Sequence, residues 1–98
     1  MTLSSNFGTV TLDFGAAPGT NVITANVTGE TDIPADALVE AWLMTDSTAD
    51  HNAYEHAVVP IKLACGSVVA GTGFTVTAST DWRLTGEFAA RWVWTRGA

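Results

Sequence analysis

Five side chains able to hold a metal ion or move a proton, Asp46, Asp50, His51, Glu55 and His56, crowd into one polar segment, TDSTADHNAYEHA, from Thr45 to Ala57. Imidazole nitrogens and carboxylate oxygens are the ligands of zinc and related ions, and the same groups serve as general acids and bases. Spacing decides against the best-known arrangement. A zinc-protease helix places two histidines about one turn apart with the catalytic glutamate on the same face, whereas His51-x-x-x-Glu55-His56 is one residue out. No metal is therefore assigned, and His51, Glu55 and His56 are the residues that would hold one. The segment reads instead as a long polar loop whose His51, Tyr54, Glu55 and His56 contact one another or a neighbouring subunit. If the two histidines were buried neutral at such an interface, assembly would weaken as pH falls through about 6.5; a paired carboxylate would reverse that sign.

Nucleophilic chemistry has less support. Cys65 is the single cysteine, so no intrachain disulfide or Cys-rich metal site can be built, and it reads as a small buried hydrophobe. There is no Gly-x-Ser-x-Gly elbow, and GTGF at Gly71 to Phe74 leads into a strand, whereas a phosphate-cradling loop must open a helix. No catalytic residue, enzymatic activity or cofactor is expected. Among the aromatic residues, Trp82 beside Arg83 falls at a turn or strand end and is the pair placed to meet a ligand, with a sugar ring on the indole as its natural partner. Trp92 and Trp94 share a face with Phe88 and belong to a core.

The elements that must position these residues are strands. Val10, Leu12 and Phe14 alternate with polar residues until GAAPGT supplies a turn, and NVITANVT alternates in the same way, so the two read as a hairpin. IPADALVEAWLM admits a helix capped by Asp32, but Val39, Ala41 and Leu43 alternate with Leu38, Glu40, Trp42 and Met44, and a strand is favoured. IKLACGS follows, with Pro60 near its start, and Gly66, Gly71 and Gly73 break the chain before two further strands. In these, Phe74, Val76 and Ala78, then Leu84, Phe88, Ala90, Trp92 and Trp94, occupy every second position, with Gly86 in the remaining slot. The expected fold is all-β, an antiparallel six-stranded β-sandwich or flattened barrel, as one domain over residues 1–98.

Composition narrows the partners. Four basic residues face ten acidic ones, a formal charge of -6, so a phosphate backbone would be repelled and nucleic-acid binding is not expected. No uncharged apolar run approaches the roughly 18 residues that span a bilayer, and MTLSSNFGTV has no signal-peptide pattern. A cytoplasmic site of synthesis and no membrane partner are expected. Only 14% of residues are charged while 47% are hydrophobic, and fifteen Thr and five Ser supply much of the polarity. So little surface charge implies that other subunits cover part of the surface.

Two stretches carry a resemblance. Leu38 to Ile61, with VEAWLMTDSTADHNAYEH, and Gly71 to Trp94, with VAGTGFTV and RWVW, resemble a family of small proteins encoded among the virion genes of tailed bacteriophages. Members of that family carry a longer insert between GTGF and the last strand, where this chain has only STDWRLTGE. A second likeness, through Gly73-Phe74, Trp82 and Trp92, is to H-type lectin domains, six-stranded sandwiches that often trimerise. The first resemblance implies a virion structural protein, made in the host cytoplasm, that decorates or cements the head as a homo-oligomer, a trimer being favoured, and touches capsid or tail proteins. The second implies the same fold and oligomerisation, with a glycan-binding module on a tail or head fibre as the alternative, using Trp82 and Arg83.

Overall fold

Alternating side chains give each strand of this chain an apolar face, and two sheets that press those faces together account for the fold. The computed structural model describes residues 4–96. In chain order its elements are β1 (Ser5–Asp13), β2 (Thr20–Val27), β3 (Leu38–Trp42), α1 (Ala53–Val58), β4 (Lys62–Val69), β5 (Gly73–Leu84) and β6 (Glu87–Thr95). They form two three-stranded antiparallel sheets, ordered β1-β6-β3 and β2-β5-β4, that pack face to face without closing into a barrel. The all-β sandwich expected from the sequence is therefore present, and Leu38–Trp42 is a strand and not a helix.

The central strands β5 and β6 supply most of the core. Phe74, Val76 and Ala78 on one side meet Phe88, Ala90, Trp92 and Trp94 on the other, all buried, with Leu12 and Phe14 of the β1 end beside them. The inward residues of the edge strands, among them Val39, Ala41, Leu63 and Cys65, are only partly buried. Trp94 is fully buried, and its indole Nε1 donates to Glu30 Oε1 at 2.8 Å, an oxygen that also accepts from Asn6 Nδ2 at 2.7 Å. A buried indole N–H thus has the partner it needs.

The expected β1-β2 hairpin is corrected. β1 pairs with β6 and β2 with β5, so the turn after Asp13 carries the chain from one sheet to the other. The same crossing occurs between β5 and β6 at Thr85 and Gly86, and Leu84 closes β5 and does not open the last strand. Among the described residues, β4 and β5 are the only consecutive strands that pair, with Val69 opposite Gly73. Gly73 has φ +158, and a Cβ there would lie 1.7 Å from the Val27 carbonyl oxygen, so the start of β5 requires glycine.

Candidate functional site

The polar segment from Thr45 to Ala57 folds against the end of β6, and one hydroxyl organises its first half. Thr48 Oγ1 donates to the Glu87 carbonyl at 2.6 Å and accepts from the amides of Asp50 and His51 at 3.2 and 3.1 Å. Asp50 Oδ2 takes the Glu87 amide at 2.8 Å. Asn52 then caps α1: its side chain accepts from the Glu55 amide at 2.9 Å while Glu55 Oε1 accepts from the Asn52 amide at 3.0 Å. This reciprocal pair is a capping box, and it explains why a six-residue helix forms inside a segment with no helical period.

His51 follows from that geometry. Its Nδ1 lies 2.9 Å from Glu55 Oε2 and its Nε2 lies 2.6 Å from the Thr85 carbonyl. Both partners are acceptors, so both nitrogens must donate, which requires the imidazolium. Burial works against that charge, but the hydrogen bonds to Glu55 and to the Thr85 carbonyl, with the nearby Glu55 and Asp50 charges, raise the His51 pKa above 6.5. The Glu55 carboxyl moves the other way, lowered by His51 first and by the Asn52 amide second. The ring also stacks on Phe88 with centroids 3.9 Å apart and planes 14° apart, a cation laid on the face of a core aromatic.

His56 is held differently. It is 3% exposed, with Nδ1 donating to the Asn52 carbonyl at 2.9 Å and Nε2 accepting from the Ala89 amide at 3.0 Å, and its ring lies 5.0 Å from that of Phe88. All four ring nitrogens of the two histidines therefore have partners inside the chain, and an ion would have to displace one of them. Among the described residues no three His, Cys, Asp or Glu side chains converge as metal ligands. Of the four residues expected to make contacts, His51, Glu55 and His56 are drawn together, while Tyr54, 73% exposed, faces solvent. Beside His51 an open cleft of about 500 Å³ carries Asp13, Asp50 and Glu87, two of whose carboxylates accept backbone amides.

Asp46 anchors the other end of the segment. Arg91 grips it through two parallel bonds, Nε to Oδ2 at 3.1 Å and Nη2 to Oδ1 at 2.8 Å, and this grip holds the Asp46 carboxyl below its ordinary range. Trp82 and Arg83, the expected ligand pair, stand near the end of β5, both exposed, with the indole at 54%. As neighbours on a strand they point to opposite faces.

The feature that sequence reasoning missed is a surface. On the outer face of the β1-β6-β3 sheet, the register sets Leu38 in a row with Thr95 and Ser5, Glu40 with Val93 and Phe7, and Trp42 with Arg91 and Thr9. Phe7, Leu38 and Met44 are 78%, 66% and 44% exposed, and Trp42 38%. Phe7, Trp42, Met44 and Val93 enclose an apolar cleft of about 380 Å³ with Arg91 at its side. On the outer face of the other sheet the rows are Val22 with Ser79 and Lys62, Thr24 with Thr77 and Ala64, and Asn26 with Thr75 and Gly66. The alternation of Leu38, Trp42 and Met44 was the available signal, but Phe7 lies ahead of the alternation that begins at Val10.

No family model, curated protein or solved structure matches this chain.

Proposed function

We propose that this protein is a structural accessory subunit of a tailed-phage virion, a head decoration or cement protein that works as a homo-oligomer, three copies being the favoured number, and by protein-protein assembly. The observation that carries this reading is the apolar outer face of the β1-β6-β3 sheet, where Phe7, Trp42 and Met44 stand exposed around a cleft and Leu38 is exposed on the same face. Contiguous exposed apolar surface of this kind marks an interaction site, and aromatic residues with Met and Arg are what the centres of interfaces favour. The likeness of VEAWL, TADH, AGTGF and WVW to virion proteins supplies the particle. The ring nitrogens of His51 and His56 are engaged within the chain, with Glu55, Thr85, Asn52 and Ala89, so the outer face and not the loop histidines carries the reading.

Cosedimentation of purified protein with phage heads that lack it tests this. Saturable binding, lost when Phe7 is changed to Lys, is the expected result; heads that pellet without the protein at every concentration overturn it. One observation favours a second reading, a glycan-binding module on a fibre: the exposed Trp82 indole. That reading requires sugar binding on a glycan array that Trp82→Ala abolishes.

A further inference from the structure

β3 stops pairing with β6 before β6 ends, and the segment from Thr45 to Ala57 takes over the edge it leaves. β3 meets β6 from Leu38 opposite Thr95 to Trp42 opposite Arg91, whereas β1 stays paired with β6 as far as Glu87. Among the described residues, β6 from Glu87 to Ala90 therefore has a strand on one side and none on the other. An open edge of this kind leaves backbone N–H and C=O groups in want of partners. Side chains of the loop supply them. Thr48 Oγ1 donates to the Glu87 carbonyl, Asp50 Oδ2 accepts the Glu87 amide and His56 Nε2 accepts the Ala89 amide, while His51 Nε2 donates to the Thr85 carbonyl just before the strand. Both imidazoles also lie against the ring of Phe88, which is fully buried.

The two histidines make opposite demands. His51 faces two acceptors, Glu55 Oε2 and the Thr85 carbonyl, so it fits the closed loop only with both nitrogens protonated. His56 faces an acceptor at Nδ1, the Asn52 carbonyl, and a donor at Nε2, the Ala89 amide, so it fits only as the neutral Nδ1–H tautomer. A proton on His56 Nε2 would set N–H against N–H and leave the Ala89 amide without its acceptor. The carboxylates around the rings do not make this distinction. Glu55 and Asp50 act on His51, Asp46 and Glu55 on His56, and all favour a positive charge; Arg91 of β6 is spent on Asp46, and Asp13 of β1 and Glu87 of β6 line the cleft beside His51. Charge alone would protonate the two rings together, and the Ala89 amide is what separates them.

We propose that this loop is a pH-gated guard of the β6 edge, shut while His51 is charged and His56 is neutral and released on either side of that state. Loss of the His51 proton frees the loop from the Thr85 carbonyl as pH rises. Gain of a proton by His56 frees it from Ala89 as pH falls, because the closed loop has no place for that proton. Opening bares a strand edge that the closed loop keeps from pairing with other chains. The inference concerns contacts within one chain and is independent of the accessory-subunit reading.

NMR of the isotope-labelled whole chain, titrated from pH 4 to pH 9, tests it. The chain has two histidines, so His51→Gln assigns both sets of ring signals. An interval of pH should appear in which His51 reads as the imidazolium and His56 as the neutral Nδ1–H tautomer. Within it the Glu87 and Ala89 amides should be best protected from hydrogen exchange, after correction for the intrinsic pH dependence of exchange. Protection at Ala89 should fall about tenfold on each side, the worth of one hydrogen bond. His51→Gln should remove the alkaline fall and keep the acid one; His56→Gln, whose side-chain oxygen can still accept from Ala89, should remove the acid fall. Two rings that share one protonation state at every pH overturn the proposal, and so does protection at Ala89 that follows neither titration. The wild-type readings decide the matter even where His56→Gln does not fold.

Discussion

His51 ties the loop to the turn between β5 and β6 through a charged hydrogen bond to the Thr85 carbonyl, and the charge makes the loop sensitive to pH in a direction that can be worked out. Its folded pKa is raised above 6.5, so the stability it adds is complete below the unfolded value and is lost as pH rises through the folded one. Glu55 is lowered below 4.5, so its share is present above that value and is lost as pH falls. The clamp is therefore strongest between those two ranges, and the His51 part weakens toward alkaline pH. This is the sign that a paired carboxylate dictates, opposite to that of a histidine buried neutral. Thermal melting should show the wild type losing stability between pH 6 and pH 8 relative to His51→Gln, which cannot carry the charge. Parallel curves for the two proteins across that interval would show that the imidazolium contributes nothing to the loop.

At the scale of the elements, β1 packs tightly on β6 through a residue without a side chain. Gly8 lies opposite Trp92, and a Cβ added there would come within 2.6 Å of indole Cζ2 and 3.0 Å of Cε2. Trp92 is 5% exposed and its Nε1 donates to the Thr9 carbonyl at 3.2 Å, so the ring has little room to retreat. Gly8→Ala should cost about 1–3 kcal/mol by overpacking, read as a lower denaturant midpoint at constant slope; an unchanged midpoint would mean that the indole moves freely. The sequence made these strands legible because a period of two needs no knowledge of the partner. It could not assign them to sheets, since strands of both sheets turn apolar faces to the same core, and so β1 and β2 read as a hairpin. In the loop, Asn52-x-x-Glu55 was a readable capping signal, whereas the Thr85 and Ala89 partners of the histidines lie 34 and 33 residues away and leave no local trace. The outer face was ambiguous for a different reason: with Leu38, Trp42 and Met44 on one side of β3 and Val39, Ala41 and Leu43 on the other, hydrophobicity alone does not say which side is core.

For the molecule as a whole, the net charge of -6 sets how the proposed self-association through the apolar outer face should respond to salt. An interface held by ion pairs loosens as salt screens them, whereas an apolar contact between two chains of charge -6 is opposed by long-range repulsion that salt relieves. The repulsion reaches over a Debye length of about 30 Å at 0.01 M ionic strength and about 8 Å at 0.15 M. At the lower value the carboxylates of two joined chains, which include the facing Asp13 and Glu87 at the end of the sheet, sense one another across the whole contact. At the higher value they are screened, while the burial of Phe7, Leu38, Trp42 and Met44 is undiminished. The fraction of self-associated protein should therefore rise when ionic strength increases from 0.01 to 0.15 M at fixed protein concentration, as measured by sedimentation velocity. The Arg91-Asp46 pair does not alter that sign, because it is closed within each chain and crosses no interface. Dissociation on adding salt would mean that charges hold the copies together, and would move the contact from this face to the charged ends of the sandwich.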